Sequence, residues 1–287
     1  MPYEREISRE RKGCFLFLLD QSYSMEEPLS NSTHRKCDEL SKAINKWLQN
    51  MTIRASGDSG IKDWWDIGVL GYRTDSSGNP IVGSPLLGPL ADRVLVSITE
   101  IGQHPARIDK VSAQVPDDET GEMIEMPTEM PIWVDPIAEG GTPMCQALHD
   151  ACVMLDDWIS QHQASFPPIV INITDGESTD GDPIPYADVL KERCTDDGNV
   201  LFFNCHLSTT AADPFTFIAN GELLPDDLAR VLFKMSSVLP DTINQRAVAE
   251  GFALEPNARG MVFNADMVTL LKFLDLGTRA AAPANLR

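Results

Sequence analysis

The chain is poor in the features that announce many common functions. Its six cysteines (Cys14, Cys37, Cys145, Cys152, Cys194 and Cys205) are scattered, with no C-x-x-C pair. That spacing speaks against both a disulfide framework and a zinc ribbon, and reads most of the six as small buried hydrophobes. No apolar run approaches the roughly 20 residues that span a bilayer, and no G-x-x-x-x-G-K-[ST] phosphate loop occurs. Positive charge is scarce: 23 Lys and Arg stand against 43 Asp and Glu, a formal net charge of -20. An acidic surface of that size disfavours nucleic acid and anionic membranes, and favours cations or basic partners.

What is present reads as a globular chain. Hydrophobic residues make up 43% of it, with an ordinary share of glycine and proline. A length of 287 residues holds one large domain or two small ones and can bury a sizeable core. The opening segment, MPYEREISRERKGC, is charged throughout, and the apolar run behind it is too short for a signal-peptide core. A cytoplasmic location is the expectation.

Periodicity sets the order of elements. Residues 14–19 are continuously apolar, as expected of a strand buried on both faces of a parallel sheet. Leu40, Ala43, Ile44, Trp47, Leu48 and Met51 follow helical spacing. Residues 64–73 read as a second strand and 92–98 as a third, short one. In GGTPMCQALHDACVMLDDWI, Thr142 suits a helix N-cap and Pro143 the first helical position. Met144, Ala147, Leu148, Ala151, Leu155, Trp158 and Ile159 then form the apolar face. Strands over 167–176, 199–208 and 260–265 alternate with helices near 183–194, 226–239 and 241–251. A last helix is expected over 265–276, with Asn264 as its cap and Gly277 as its stop.

Such alternation predicts right-handed crossovers and a parallel sheet covered on both faces, whose ligands bind at the carboxyl ends of the strands. Strands 15–19 and 169–173 are expected side by side at its centre. Residues 74–139 are too long for an ordinary connection, and KVSAQVPDDETGEMIEMP within them has the pattern of a hairpin turning at 117–121. The acidic segment 117–129, which leads back to Thr142, is expected to reach the binding face and select basic partners.

The chemistry-bearing residues lie at strand ends. Asp20, Ser22 and Ser24 alternate just past the first buried strand, Asp175 ends another, and Thr142 opens a helix on the same face. Five oxygens from three loops, with no imidazole or thiolate, suit a hard cation, magnesium first and calcium or manganese also. Neutral hydroxyls beside two carboxylates balance a divalent charge and leave room for a further anionic ligand.

DQSYS at 20–24, GGTP at 140–143 and ITDGE at 173–177 resemble, in order and in position, the three parts of the metal-ion-dependent adhesion site of von Willebrand factor A domains. The resemblance runs from about residue 13 to residue 276. It implies a doubly wound, mostly parallel α/β sheet, Rossmann-like, with helices on both faces and one antiparallel edge strand. One such domain would fill 1–287, with an elaborated insertion at 74–139 and a C-terminal tail at 277–287. By the same resemblance Ser22, Ser24 and Thr142 bind the metal directly, and Asp20 and Asp175 mostly through water. An Asp or Glu of a protein partner completes the shell. The chain is further similar to bacterial cytoplasmic members related to tellurite-resistance proteins, often encoded beside kinases and metal-dependent phosphatases. Residues 74–139 depart from a minimal A domain, so the partner's identity does not carry over.

Other readings fit fewer residues. A strand ending in Asp suits a haloacid-dehalogenase-type phosphatase, but that chemistry needs a second acid two residues on, where this chain has Ser22. DGESTDGD at 175–182 lacks the spacing and distal Glu of a calcium loop, so Asp180 and Asp182 are expected in a turn and at the start of the next helix. His206 reads as a satisfied core histidine, with Cys205 pointing to the opposite face. No catalytic constellation is recognised. The expected function is therefore metal-dependent protein binding in a signalling, stress or defence assembly, without enzyme activity. A regulatory subunit of an ATPase or chelatase-type machine is the alternative, and a phosphohydrolase using Asp20 is less favoured.

Overall fold

A computed structural model describes residues 2–30, 32–58, 60–116, 123–208, 215–249, 251–252 and 254–279. The main elements run β1 (Gly13–Asp20), α1 (Lys36–Ala55), β2 (Trp65–Thr74), β3 (Pro80–Gly83), β4 (Leu95–Ser97) and α2 (Ile98–Gln103). A hairpin follows, β5 (Arg107–Pro116) and β6 (Met123–Ile132), then α3 (Met144–Gln161), β7 (Ile169–Thr174) and α4 (Ile184–Lys191). The chain continues through β8 (Leu201–Leu207), β9 (Phe215–Thr216), α5 (Asp227–Met235), α6 (Asp241–Ala249), β10 (Met261–Ala265) and α7 (Met267–Arg279).

The apolar strands form a mixed α/β fold around a mostly parallel sheet in the order β9-β10-β8-β7-β1-β2-β3. β1 is buried over all its eight residues because helices cover both of its faces. Phe15 and Phe17 turn to one side, where their rings meet Trp47 of α1. Leu16 and Leu18 turn to the other, in one cluster with Leu148, Ala151 and Leu155 of α3. Each such side chain, fully buried, stabilises the fold by about 1.5–3 kcal/mol. All the apolar positions expected on α1 and α3 are buried, and strands 15–19 and 169–173 are direct neighbours in register.

The sheet has more antiparallel strands than the one edge strand that the resemblance implied. β3 and β4 both pair antiparallel with β2, on the two halves of its outer edge, and β9 pairs antiparallel with β10. For β3 and β4 the cause lies in the long 74–139 segment, which turns back on β2 at once. Asp75 Oδ1 accepts from the N–H groups of Ser77 and Asn79 and closes that turn.

The expected hairpin strands pair from Arg107↔Ile132 to Pro116↔Met123. The turn at 117–121, and with it residues 117–122 of the acidic segment 117–129, lies outside the described residues, while 123–129 forms the start of β6. The tail from residue 280 also lies outside the described residues. The hairpin's return is clamped to α1: Asn45 Oδ1 accepts from the N–H groups of Trp133 and Val134 at 2.9 and 3.1 Å, and its Nδ2 donates to the Val134 carbonyl at 2.8 Å.

The last helix differs from expectation at both ends. Asn264 belongs to β10, and the Asp266 side chain accepts from the Thr269 N–H at 2.8 Å instead. α7 passes through Gly277 to Arg279, shortening the expected tail. A glycine weakens a helix by about 1 kcal/mol relative to alanine and does not by itself end one. Among the described residues no helix is long and apolar enough to cross a membrane.

From β1 the chain moves through α1 to β2 on one side, and later through α3 to β7 on the other. α1 and α3 pack on opposite faces of the sheet. The strand order therefore reverses between β1 and β7, the point of such a sheet where ligands bind outside the carboxyl ends of the strands.

Candidate metal centre

Asp20 ends β1 and Thr174 ends β7, one step beyond the paired residues Leu19 and Ile173. Asp20 is 1% exposed, and both of its oxygens are engaged. Oδ1 accepts from the Ser22 N–H at 2.8 Å, a local turn that takes the chain out of the strand. Oδ2 accepts from the Thr174 hydroxyl at 2.6 Å. The Ser22 and Ser24 hydroxyl oxygens then stand 3.1 Å apart, and Ser24 donates to Asp175 Oδ1 at 2.6 Å.

The loop before α3 carries in Thr142. Its N–H donates to the Thr179 hydroxyl at 2.9 Å, and its carbonyl accepts from the Thr179 N–H at 2.9 Å. The Thr142 and Ser24 hydroxyls both lie 3.7 Å from the point where a side chain on Gly176 would begin. The five residues singled out in the sequence, Asp20, Ser22, Ser24, Thr142 and Asp175, thus meet in one place. The two glycines of GGTP let the loop pass tightly over the end of β2. Gly140 has φ +67°, a Cβ there would run into the Thr74 carbonyl oxygen, and the Gly141 N–H donates to the Thr74 hydroxyl at 2.7 Å.

Thr142 is not the helix cap. α3 starts at Met144 with Pro143 at the N-cap position, so Thr142 stands one residue too early. Asp180 caps the helix from the neighbouring loop, accepting from the N–H groups of Cys145 and Gln146 at 3.0 and 2.9 Å. Asp182 sits where expected, accepting from the Ile184 N–H at the start of α4.

The residue that sequence reasoning missed is Lys36. It is the first residue of α1, is 3% exposed, and its Nζ lies 2.6 Å from Asp175 Oδ2. The same ammonium reaches Glu27 Oε2 at 3.1 Å and the Ser24 carbonyl at 3.5 Å. One signal was there to read: a lysine opening a helix, where the macrodipole disfavours a cation, needs a partner elsewhere.

Burial, and then the charge of Asp175, pushes the Asp20 carboxyl up to about 6, against the hydrogen bonds from Ser22 and Thr174. His206 is a core residue, as its position suggested. Its ring stacks on Phe263 at 4.3 Å, and burial pushes it down to about 4.

The donor set fits a hard cation. The 3.1 and 2.6 Å spacings bracket the roughly 2.9 Å between adjacent oxygens of a regular magnesium octahedron with 2.0–2.1 Å bonds. Among the described residues no three His, Cys, Asp or Glu side chains form a group that could hold a metal ion, so an ion here would rest on two carboxylates and three hydroxyls. A depression of about 380 Å³, floored by Met144, Leu228 and Val231 and edged by Glu177 and Asp182, opens beside the Asp175 loop.

No protein-family model and no curated protein matches the chain. Among solved structures it is similar to the pilus adhesin SpaC from Lactobacillus rhamnosus GG, at 12% identity and TM-score 0.42, over 70% of this chain and 25% of that one. It is also similar to the PilB minor pilin from Streptococcus sanguinis, at 10% identity and TM-score 0.42, over 94% and 62%. A third is the human COPII-coat protein Sec24c, at 13% identity and TM-score 0.27, over 63% and 21%. The chain thus spans less than two thirds of each of these proteins. Likenesses this distant say nothing about its activity or partners.

Proposed function

We propose that this chain is a von Willebrand factor A-type domain that binds a protein partner through a divalent cation, magnesium first among candidates. The observation that carries the reading is the meeting of Asp20, Ser22, Ser24, Thr142 and Asp175 above the carboxyl ends of β1 and β7. A bound cation would supply a strong local positive charge at an otherwise acidic surface, and so attract an Asp or Glu of the partner. Ser22, Ser24 and Thr142 would hold the ion as neutral ligands, while Asp20 and Asp175 balance its charge. The strand-end loops are fixed by the Thr174, Thr179 and Asp180 hydrogen bonds, so the donors are held in place before an ion arrives. A place in a bacterial signalling, stress or defence assembly, with a kinase, phosphatase or ATPase as partner, is the corresponding role.

Titration of the purified chain with magnesium, followed by partner binding with and without EDTA, tests this reading. The partners to try are purified kinase, phosphatase or ATPase proteins encoded beside it. Chelator-insensitive binding that tolerates Asp20→Ala would show that the metal is not the contact.

A further inference from the structure

We infer that Lys36 is a tethered cation that competes with the divalent ion for Asp175 and so sets the metal affinity of the site. The inference rests on the metal reading above and adds a residue to it. The Lys36 ammonium stands at the edge of the candidate centre, 2.6 Å from Asp175 Oδ2 and 3.5 Å from the Ser24 backbone carbonyl. Both partners of the ion pair are out of water, with side-chain exposures of 3% and 0%.

The helix does not account for this placement. A cation on the first residue of α1 faces the positive end of the macrodipole, and a buried ammonium loses its hydration. The site does account for it, because two neighbouring carboxylates without a counter-charge repel each other, and Lys36 neutralises one of them. The same geometry offers the ammonium a second berth. Glu27 Oε2 is 3.1 Å from Nζ, and the Glu27 side chain is 59% exposed, so the lysine can keep a carboxylate partner while moving outward from Asp175. Metal uptake is then an exchange, in which the divalent ion takes Asp175 and Lys36 passes to Glu27.

The experiment is a calorimetric titration of the full chain with magnesium chloride in wild type, Lys36→Met, Lys36→Arg, Glu27→Gln and the Lys36→Met/Glu27→Gln pair. Removing a like charge this close should tighten magnesium binding by about tenfold or more in Lys36→Met. Lys36→Arg keeps the charge and should stay within about threefold of wild type. Glu27→Gln should weaken binding, and should lose that effect when Lys36 is already Met, since its role is to receive the lysine. Thermal melts in EDTA give a second reading: Lys36→Met should melt lower than wild type, and magnesium should raise its midpoint by more.

Unchanged or weaker magnesium binding in Lys36→Met, with Asp20→Ala still abolishing it, overturns the role of Lys36 and leaves the metal reading standing. No binding by folded wild type or folded Lys36→Met overturns both. Should Lys36→Met fail to fold, Glu27→Gln decides alone, and wild-type magnesium affinity in that variant overturns the inference.

Discussion

At Asp20 and His206 burial acts on groups of opposite charge type, so each makes stability depend on pH, in opposite senses. The Asp20 carboxyl sits at about 6 when folded, above the unfolded value of about 3.9. Its contribution is fully present below about pH 4 and is lost as pH rises through 6. His206 sits at about 4 when folded, below the unfolded value of about 6.5. Its contribution is fully present above about pH 6.5 and is lost as pH falls through 4. Shifts of this size correspond to about 3 kcal/mol each, and in the metal-free protein they largely offset one another. Single substitutions should uncouple them. Urea midpoints measured between pH 4 and 6.5 should rise toward acid in His206→Phe relative to wild type, and fall toward acid more steeply in Asp20→Asn. Profiles parallel to wild type in both variants would contradict the assigned shifts.

Loops from distant parts of the chain hold the elements at the site. Asp180→Ala removes the acceptor for two N–H groups at the start of α3 and should cost about 0.5–2 kcal/mol. Thr142→Val, which removes no cap, should cost less in the same urea series. The opposite order would return the capping role to Thr142. Asn45→Ala leaves the buried N–H groups of Trp133 and Val134 and the Val134 carbonyl without their side-chain partner. It should cost about 3 kcal/mol or more, with the hairpin's return loosened, which hydrogen exchange at Trp133 and Val134 would detect. Much of this level was legible in the sequence wherever the signal was local. The apolar runs marked β1, β2, β7, β8 and β10 but not the short edge strands β3 and β9, the 3.6-residue spacing marked α1 and α3, and the three polar motifs marked the strand ends that meet. What stayed hidden depends on partners far apart in the chain. Asp180 caps a helix 35 residues before it, and Lys36 pairs with Asp175 across 139 residues. Buried Asn172, in a strand that reads as apolar, is satisfied by Tyr72 and Asn204 from the strands β2 and β8.

Across the whole molecule the reversal of strand order between β1 and β7 places the five residues at one rim of the sheet, in a chain of formal net charge -20. Any divalent ion will collect loosely around a chain with 43 acidic and 23 basic residues, so uptake by itself does not locate a site. Magnesium that binds only the folded chain at about a hundred times its Kd should add about 2.7 kcal/mol of stability, visible as a raised melting temperature. Asp20→Ala separates the two kinds of binding, since it leaves 42 of the 43 acidic residues in place and removes one carboxylate of the candidate centre. The most direct measurement is therefore a calorimetric titration with magnesium of wild type and Asp20→Ala, both shown to be folded by circular dichroism. One ion bound per wild-type chain, with that binding abolished in Asp20→Ala, is the expected result. No stoichiometric uptake of magnesium, calcium or manganese by wild type, or uptake that Asp20→Ala leaves unchanged, would contradict the account.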